Sequence, residues 1–251
     1  MFLMNMTSEE LAAEYKADLP EIEADNKRFD NSAFVSKMLR RYKKCNAVGC
    51  ERFFKSKRNN RYLNVFTYIK KDNSTSKNVN WEWCVYTIGL IETSKGVCAV
   101  IFYDNARIGV VYQAHFFNRY KERFIKDCDW VVRKKLELAH SVTDIIPIYI
   151  RRNFSVAWMN TKSKFGDKQH IFAPVSDGVI LLQWDGKKLQ ANTFITEGMY
   201  SNEQQDMVDY AKQYKQYREA TGDLAKLMVT LINEDNNDKS QFYINSNHFN
   251  F

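Results

Sequence analysis

Residues 112–124, YQAHFFNRYKERF, put a histidine and two arginines at intervals of four. In a helix such positions share a face, so His115, Arg119 and Arg123 align over two turns with Glu122 beside them. A histidine exchanges a proton near neutral pH, and guanidiniums hold a phosphate through paired donors. Together these groups suffice for metal-free cleavage of RNA. A base takes the ribose 2′-hydroxyl proton, an acid protonates the leaving oxygen, and arginine stabilises the charge that develops on phosphorus. The same spacing also suits an ordinary solvated helix face in which Glu122 pairs with Lys126.

Such a stripe needs an anchor. Phe116, Tyr120 and Phe124 form the neighbouring stripe at the same spacing and read as the face packed on a sheet. That sheet is legible just upstream. RYLNVFTYI (61–69), WEWCVYTIGLI (81–91), GVCAVIFYD (96–104) and IGVVY (108–112) are rich in β-branched and aromatic residues and are separated by Asn, Ser, Lys and Gly clusters. They predict an antiparallel meander. GVILLQWDGKKLQANTFIT predicts a hairpin about Asp185-Gly186, the pair suited to a type I′ turn. A further helix is predicted over DWVVRKKLELAHSV, capped by Asp129. Residues 145–178 carry little pattern beyond one or two short strands.

The first 30 residues hold eight acidic and three basic side chains, whereas residues 37–71 hold twelve Lys or Arg and one acid. The first segment predicts an acidic helix capped at Thr7 or Ser8 and broken at Pro20. The second opens with a helix over 31–45 whose apolar stripe is Phe34, Met38, Leu39 and Tyr42. A basic block of this density suits a polyanion, which makes Arg40, Arg41, Lys43, Lys44, Lys55, Lys57 and Arg58 candidate nucleic-acid contacts, RNA before DNA. An acidic protein partner is the alternative occupant, and a solvated surface is the bland one.

The expected fold is α+β: an antiparallel sheet with packed helices, a helical acidic-then-basic region at 1–58, a core at 59–200, a helical appendage at 201–233 and a polar tail at 234–251. No apolar run reaches the ~20 residues that span a bilayer, and MFLMNMTSEE does not read as a signal peptide. Five scattered cysteines (Cys45, Cys50, Cys84, Cys98, Cys128) include no C-x2-C pair. They imply neither a zinc site nor a disulfide framework, and the cytoplasm is the expected compartment. No cofactor or metal is expected. Nine glycines and the absence of GxSxG, HExxH or a phosphate loop argue against a kinase, dehydrogenase, esterase-type hydrolase or zinc protease. Trp81 and Trp83 share a strand face, where they would stack bases or, more simply, join the core. His140, His170 and His248 have no recognisable companions.

The helix H-x3-R-Y-x2-R (His115, Arg119, Tyr120, Arg123), followed by a hairpin ending in TFIT, resembles a pattern of the RelE-like and barnase-like microbial ribonuclease superfamily, and also that of uncharacterised bacterial proteins. The resemblance covers residues 112–200, although here the strands at 61–112 precede the helix. It implies a helix on an antiparallel sheet, with His115 as general acid/base, Arg119 and Arg123 as phosphate ligands, and Thr193 or Thr196 as a hydroxyl on a late strand. The expected function is RNA cleavage or binding, toxin-like in setting. A non-catalytic interaction or accessory protein of a phage or mobile element is the alternative.

Overall fold

The computed structural model describes residues 1–71, 79–103, 108–153, 157–161, 170–202, 205–206, 209 and 242–244. Its fold is α+β, built on a mixed sheet of ten strands in the order β1-β2-β3-β4-β5-β9-β8-β7-β6-β10. The first meander comprises β1 (Ala47–Lys55), β2 (Arg61–Lys70), β3 (Trp81–Thr93), β4 (Gly96–Tyr103) and β5 (Ile108–Tyr112). The second comprises β6 (Ala157–Thr161), β7 (His170–Val175), β8 (Gly178–Trp184) and β9 (Leu189–Ile195), with β10 (Phe242–Ile244) added outside β6. Every neighbouring pair is antiparallel except β5 with β9, which run parallel over Val110–Tyr112 and Leu189–Ala191.

Helices cover both faces. On one face lie α3 (Ala114–Phe124), α4 (Trp130–Leu138) and α5 (Val142–Arg152), packed over Leu63, Val65, Ile88, Ala99, Val110, Ile180 and Phe194. Phe116, Phe117, Tyr120 and Phe124 are all buried there, so the aromatic stripe does anchor α3. Asp129 caps α4 by accepting from the Val132 amide at 3.0 Å. On the other face α1 (Ser8–Asp30) sets Leu11 and Ile22 against Tyr62, Ile91, Val100 and Val111. Beside it α2 (Ala33–Arg41) and Phe29 pack on Val48, Cys50, Phe66 and Tyr68. Trp81 and Trp83 lean on this same cluster, which favours the core reading of the pair.

Several expectations are corrected. Helix α1 runs through Pro20. A mid-helix proline costs about 3 kcal/mol, and contacts on both sides of it hold the helix, Asp18 before and Ile22 and Asp25 after. Helix α2 ends at Arg41, and its packed residues are Val35, Met38 and Leu39, whereas Phe34 is 60% and Tyr42 42% exposed. Residues 47–55, read as part of a helical region, form β1. The patternless stretch begins with a helix, α5, that contains Pro147. The turn between β8 and β9 has four residues, Asp185 to Lys188, and of these only Gly186 has positive φ (+89°). Asp185 Oδ1 accepts from the Lys187 and Lys188 amides at 3.0 and 2.9 Å, so an Asx turn replaces type I′. The appendage at 201–233 and His248, Phe249 and Phe251 of the tail lie outside the described residues, apart from a few isolated positions near 205.

The acidic helix and part of the basic block neutralise one another. Asp25, its carboxylate 2% exposed, accepts from Arg52 at 2.7 and 3.0 Å and from Arg28. Glu14 pairs with Arg58 and accepts from Asn60 at 3.0 Å. Fully buried Asp18 accepts from Asn60 and the Tyr62 hydroxyl, both at 2.7 Å. The Arg58 guanidinium, then Asn60, hold the Glu14 carboxyl down at about 2, and Arg52 lowers that of Asp25. Both groups bind protons more readily when unfolded, near 4.5 and 3.8. Their stabilisation is therefore complete above those values and lost as pH falls through the lowered folded-state values, about 2 for Glu14. Urea midpoints measured against pH should stay flat above about pH 5 and drop steeply below 4. The double variant Glu14→Gln/Asp25→Asn should flatten that drop; an unchanged slope would show that other carboxylates dominate acid unfolding.

Candidate functional site

Strand β5 ends at Tyr112, opposite Ala191, and the chain turns straight into α3. Beyond Ala191 the flank of β9 is therefore free of β5, and α3 runs alongside it. The β8–β9 register slips between Leu181 and Leu182, so that Leu182 faces Ala191 while Leu181 faces Thr193. This bulge at Asn192 re-aims the end of β9, as bulges beside functional sites commonly do.

The arginines of α3 meet that strand end. Arg119 Nη1 donates to Thr193 Oγ1 at 2.9 Å, and Arg123 Nη1 donates to the same oxygen at 3.3 Å and to the Phe194 carbonyl. Two guanidiniums thus converge on one hydroxyl. Burial, then the charge of Arg119, push the Arg123 pKa down. Among the described residues neither arginine has an ion-pair partner. Elsewhere the guanidiniums of Arg52, Arg58, Arg61, Arg151 and Arg152 each contact a carboxylate. A hydroxyl and a carbonyl offer dipoles but no charge, and Glu122 acts on Arg123 without an ion pair, so the α3 pair retains a net positive field that an anion would satisfy.

His115 is exposed on the first turn of α3, one turn ahead of Arg119 on the same side. Thr196, the other late hydroxyl, is placed elsewhere. It is buried to 7% exposure just past β9, and its carbonyl accepts from the Met199 amide at 2.9 Å. Thr193 takes the position beside the arginines, because the bulge turns that residue towards α3.

The seven basic candidates fall into two groups. Lys55, Lys57 and Arg58 lie at the β1–β2 turn, at the sheet end where α3 begins, and Arg58 is held by Glu14. Arg40, Arg41, Lys43 and Lys44 lie at the end of α2, at the opposite tip of β1. All seven are exposed. His140 is exposed beyond α4, and its amide donates to Asp144 at 3.0 Å. His170 opens β7, within residues whose side chains are not described.

One buried network was not foreseen. Asp177, in the turn before β8, accepts from the Tyr120 hydroxyl at 2.7 Å, from Arg152 Nε and Nη2 at 2.8–3.0 Å, and from Asn153 Nδ2 at 2.9 Å. The Asp177 amide donates back to Asn153 Oδ1 at 3.0 Å. Arg152 also lies 4.9 Å over the Phe124 ring. The network ties α3 and α5 to the β7–β8 turn and so fixes the helix that carries the arginines. Its only signal in the sequence is Tyr120, a hydroxyl within an otherwise apolar stripe.

Among the described residues no group of histidine, cysteine and acidic side chains could hold a metal ion. All five cysteines are free; Cys50, Cys98 and Cys128 are buried, and burial raises the Cys50 thiol to about 11. Among the described residues no helix is long and apolar enough to cross a membrane. Compared with family models, with curated proteins and with solved structures, the chain matches none.

Proposed function

We propose that the α3 stripe binds the phosphodiester backbone of RNA and cleaves it without a metal. The observation that carries this reading is the convergence of Arg119 and Arg123 on Thr193 with neither in an ion pair among the described residues. An interaction protein would be expected to splay these side chains into solvent or to pair them with acids. In the proposed reaction His115 takes the 2′-hydroxyl proton and the 2′-oxygen attacks phosphorus. The bond to the 5′-oxygen breaks, giving a 2′,3′-cyclic phosphate, and solvent returns a proton to the leaving oxygen. The guanidiniums stabilise the dianionic phosphorane through their unused donors. The implied resemblance to RelE-like and barnase-like ribonucleases agrees with these roles, with Thr193 as the late-strand hydroxyl.

The test is labelled RNA incubated with the purified chain in chelator, beside His115→Ala and Arg119→Ala. His115→Ala should slow cleavage about 10²–10⁴-fold, the usual worth of a positioned acid–base group, with RNA affinity retained. Arg119→Ala should weaken both binding and cleavage. Wild-type protein that neither cleaves nor binds RNA, or variants that cleave at its rate, would remove the reading.

A further inference from the structure

We propose that the α2 end of the sheet is a second, independent contact for single-stranded nucleic acid, holding it by phosphate contacts and base stacking and taking no part in the chemistry at α3. The basic block is not uniform once folded. The arginines of β1, β2 and the turn between them are neutralised, Arg52 by Asp25, Arg58 by Glu14 and Arg61 by Glu92. The α2 portion of the block is not: Lys37, Arg40, Lys43 and Lys44 are exposed with no acidic partner among the described residues. Arg41 lies against the Tyr42 ring, 5.7 Å from its guanidinium carbon, and has no acidic partner among the described residues. The Lys70 amide donates to the Asn46 carbonyl at 2.8 Å, bringing a further lysine to the same end.

Two rings stand among these charges. Phe34 lies on the first turn of α2 and Tyr42 caps its end, about 80° apart around the axis at ~3.6 residues per turn. Phe29 supports Phe34 from beneath, with centroids 5.9 Å apart, and the outer part of the Phe34 ring remains exposed. Cations interleaved with exposed aromatics are what a single strand needs, because every base has a face to stack while phosphates take the charge. Base pairs in a duplex hide those faces. An anionic bilayer fits less well, because interfacial helices insert their apolar face, and α2 has spent Val35, Met38 and Leu39 on the sheet. The α2 end and the β1–β2 turn are separated by the length of the ten-residue β2, about 30 Å at ~3.3 Å per residue. One strand of nucleic acid could therefore touch α2 without occupying α3.

The test uses the full chain and labelled oligo-dT, which lacks the 2′-hydroxyl and cannot be cut by the α3 route. It is run in an Arg119→Gln/Arg123→Gln background, so that the result does not depend on the α3 reading. Arg40→Gln/Lys43→Gln/Lys44→Gln should lower the salt slope of binding by about two, at ~0.7 per phosphate contact on a single strand. Phe34→Leu/Tyr42→Leu, which keeps the apolar contact with Phe29, should weaken binding about five- to a hundred-fold with the slope unchanged. Unaltered binding by either variant overturns the proposal. So does equal affinity for polyglutamate of matched charge, which would mark an acidic-protein surface. Loss of phosphatidylserine-vesicle binding in these variants without loss of oligo-dT binding would mark a membrane contact and also overturn it.

Discussion

Asp177→Ala should destabilise the protein by about 3 kcal/mol, because breaking a buried ion pair leaves its partners uncompensated. The Asp177 carboxylate is 2% exposed and is the common acceptor for Tyr120, Arg152 and Asn153. Removing it strands the Tyr120 hydroxyl, which is fully buried, and the inward donors of Arg152. Full losses of 3–5 kcal/mol apply to fully buried pairs, and Arg152 is 33% exposed, which places the figure at the low end. Thermal midpoints shift ~2–4 °C per kcal/mol in chains of this size, so a fall of roughly 6–12 °C is expected. Tyr120→Phe removes one donor and leaves the Arg152 pair intact, so it should cost about 1 kcal/mol. Equal losses in the two variants, measured by urea unfolding, would show that the ion pair adds nothing beyond the hydroxyl contact.

Gly178→Ala, one residue further on, should be costly for stability and for the site together. Gly178 has φ +156°, and a Cβ there would overlap the Ile195 carbonyl oxygen and lie 2.7 Å from the Phe194 ring. Neither neighbour can yield freely. Ile195 is bound in the ladder opposite Val179, and Phe194 is fully buried among Phe116 and Tyr120. Overpacking of this kind costs about 1–3 kcal/mol. The displaced strand is also the one whose Phe194 carbonyl and Thr193 hydroxyl hold Arg123. The RNA binding proposed for α3 should therefore weaken beyond what the fall in stability alone would produce. Binding that is unchanged at a temperature where the variant is fully folded would mean the arginines do not depend on the strand's position.

Local pattern carried much of the architecture. Strands β2 to β5 are runs of β-branched and aromatic residues between turn-forming clusters, and α3 and α4 show helical spacing with a side-chain cap on α4. Strand β1 was hidden because its inward residues, Val48, Cys50, Arg52 and Phe54, include an arginine whose partner, Asp25, lies on a distant helix. Helix α5 was hidden by Pro147 and by β-branched residues such as Val142, Thr143, Ile145 and Ile146, which read as strand. Of the site, the spacing of His115, Arg119 and Arg123 was local and visible. The choice of Thr193 over Thr196 was not, because it depends on the parallel pairing of β5 with β9 and on a one-residue bulge. Neither leaves a mark within a short window of sequence.

The two meanders close mostly through local hairpins, and only the three-residue parallel seam between β5 and β9 joins them within the sheet. Gln113 and Gln190, which hydrogen-bond beside that seam at 2.8 Å, are 77 positions apart in the chain. Loop closure over such a distance is slow and entropically expensive compared with hairpin formation. The seam is therefore a natural late event in folding and a natural boundary between cooperative units. The bonds of Arg119 and Arg123 to β9 cross that boundary. The cationic pair is thus assembled only when both halves of the sheet have docked, so a half-folded chain would carry the helix without its site.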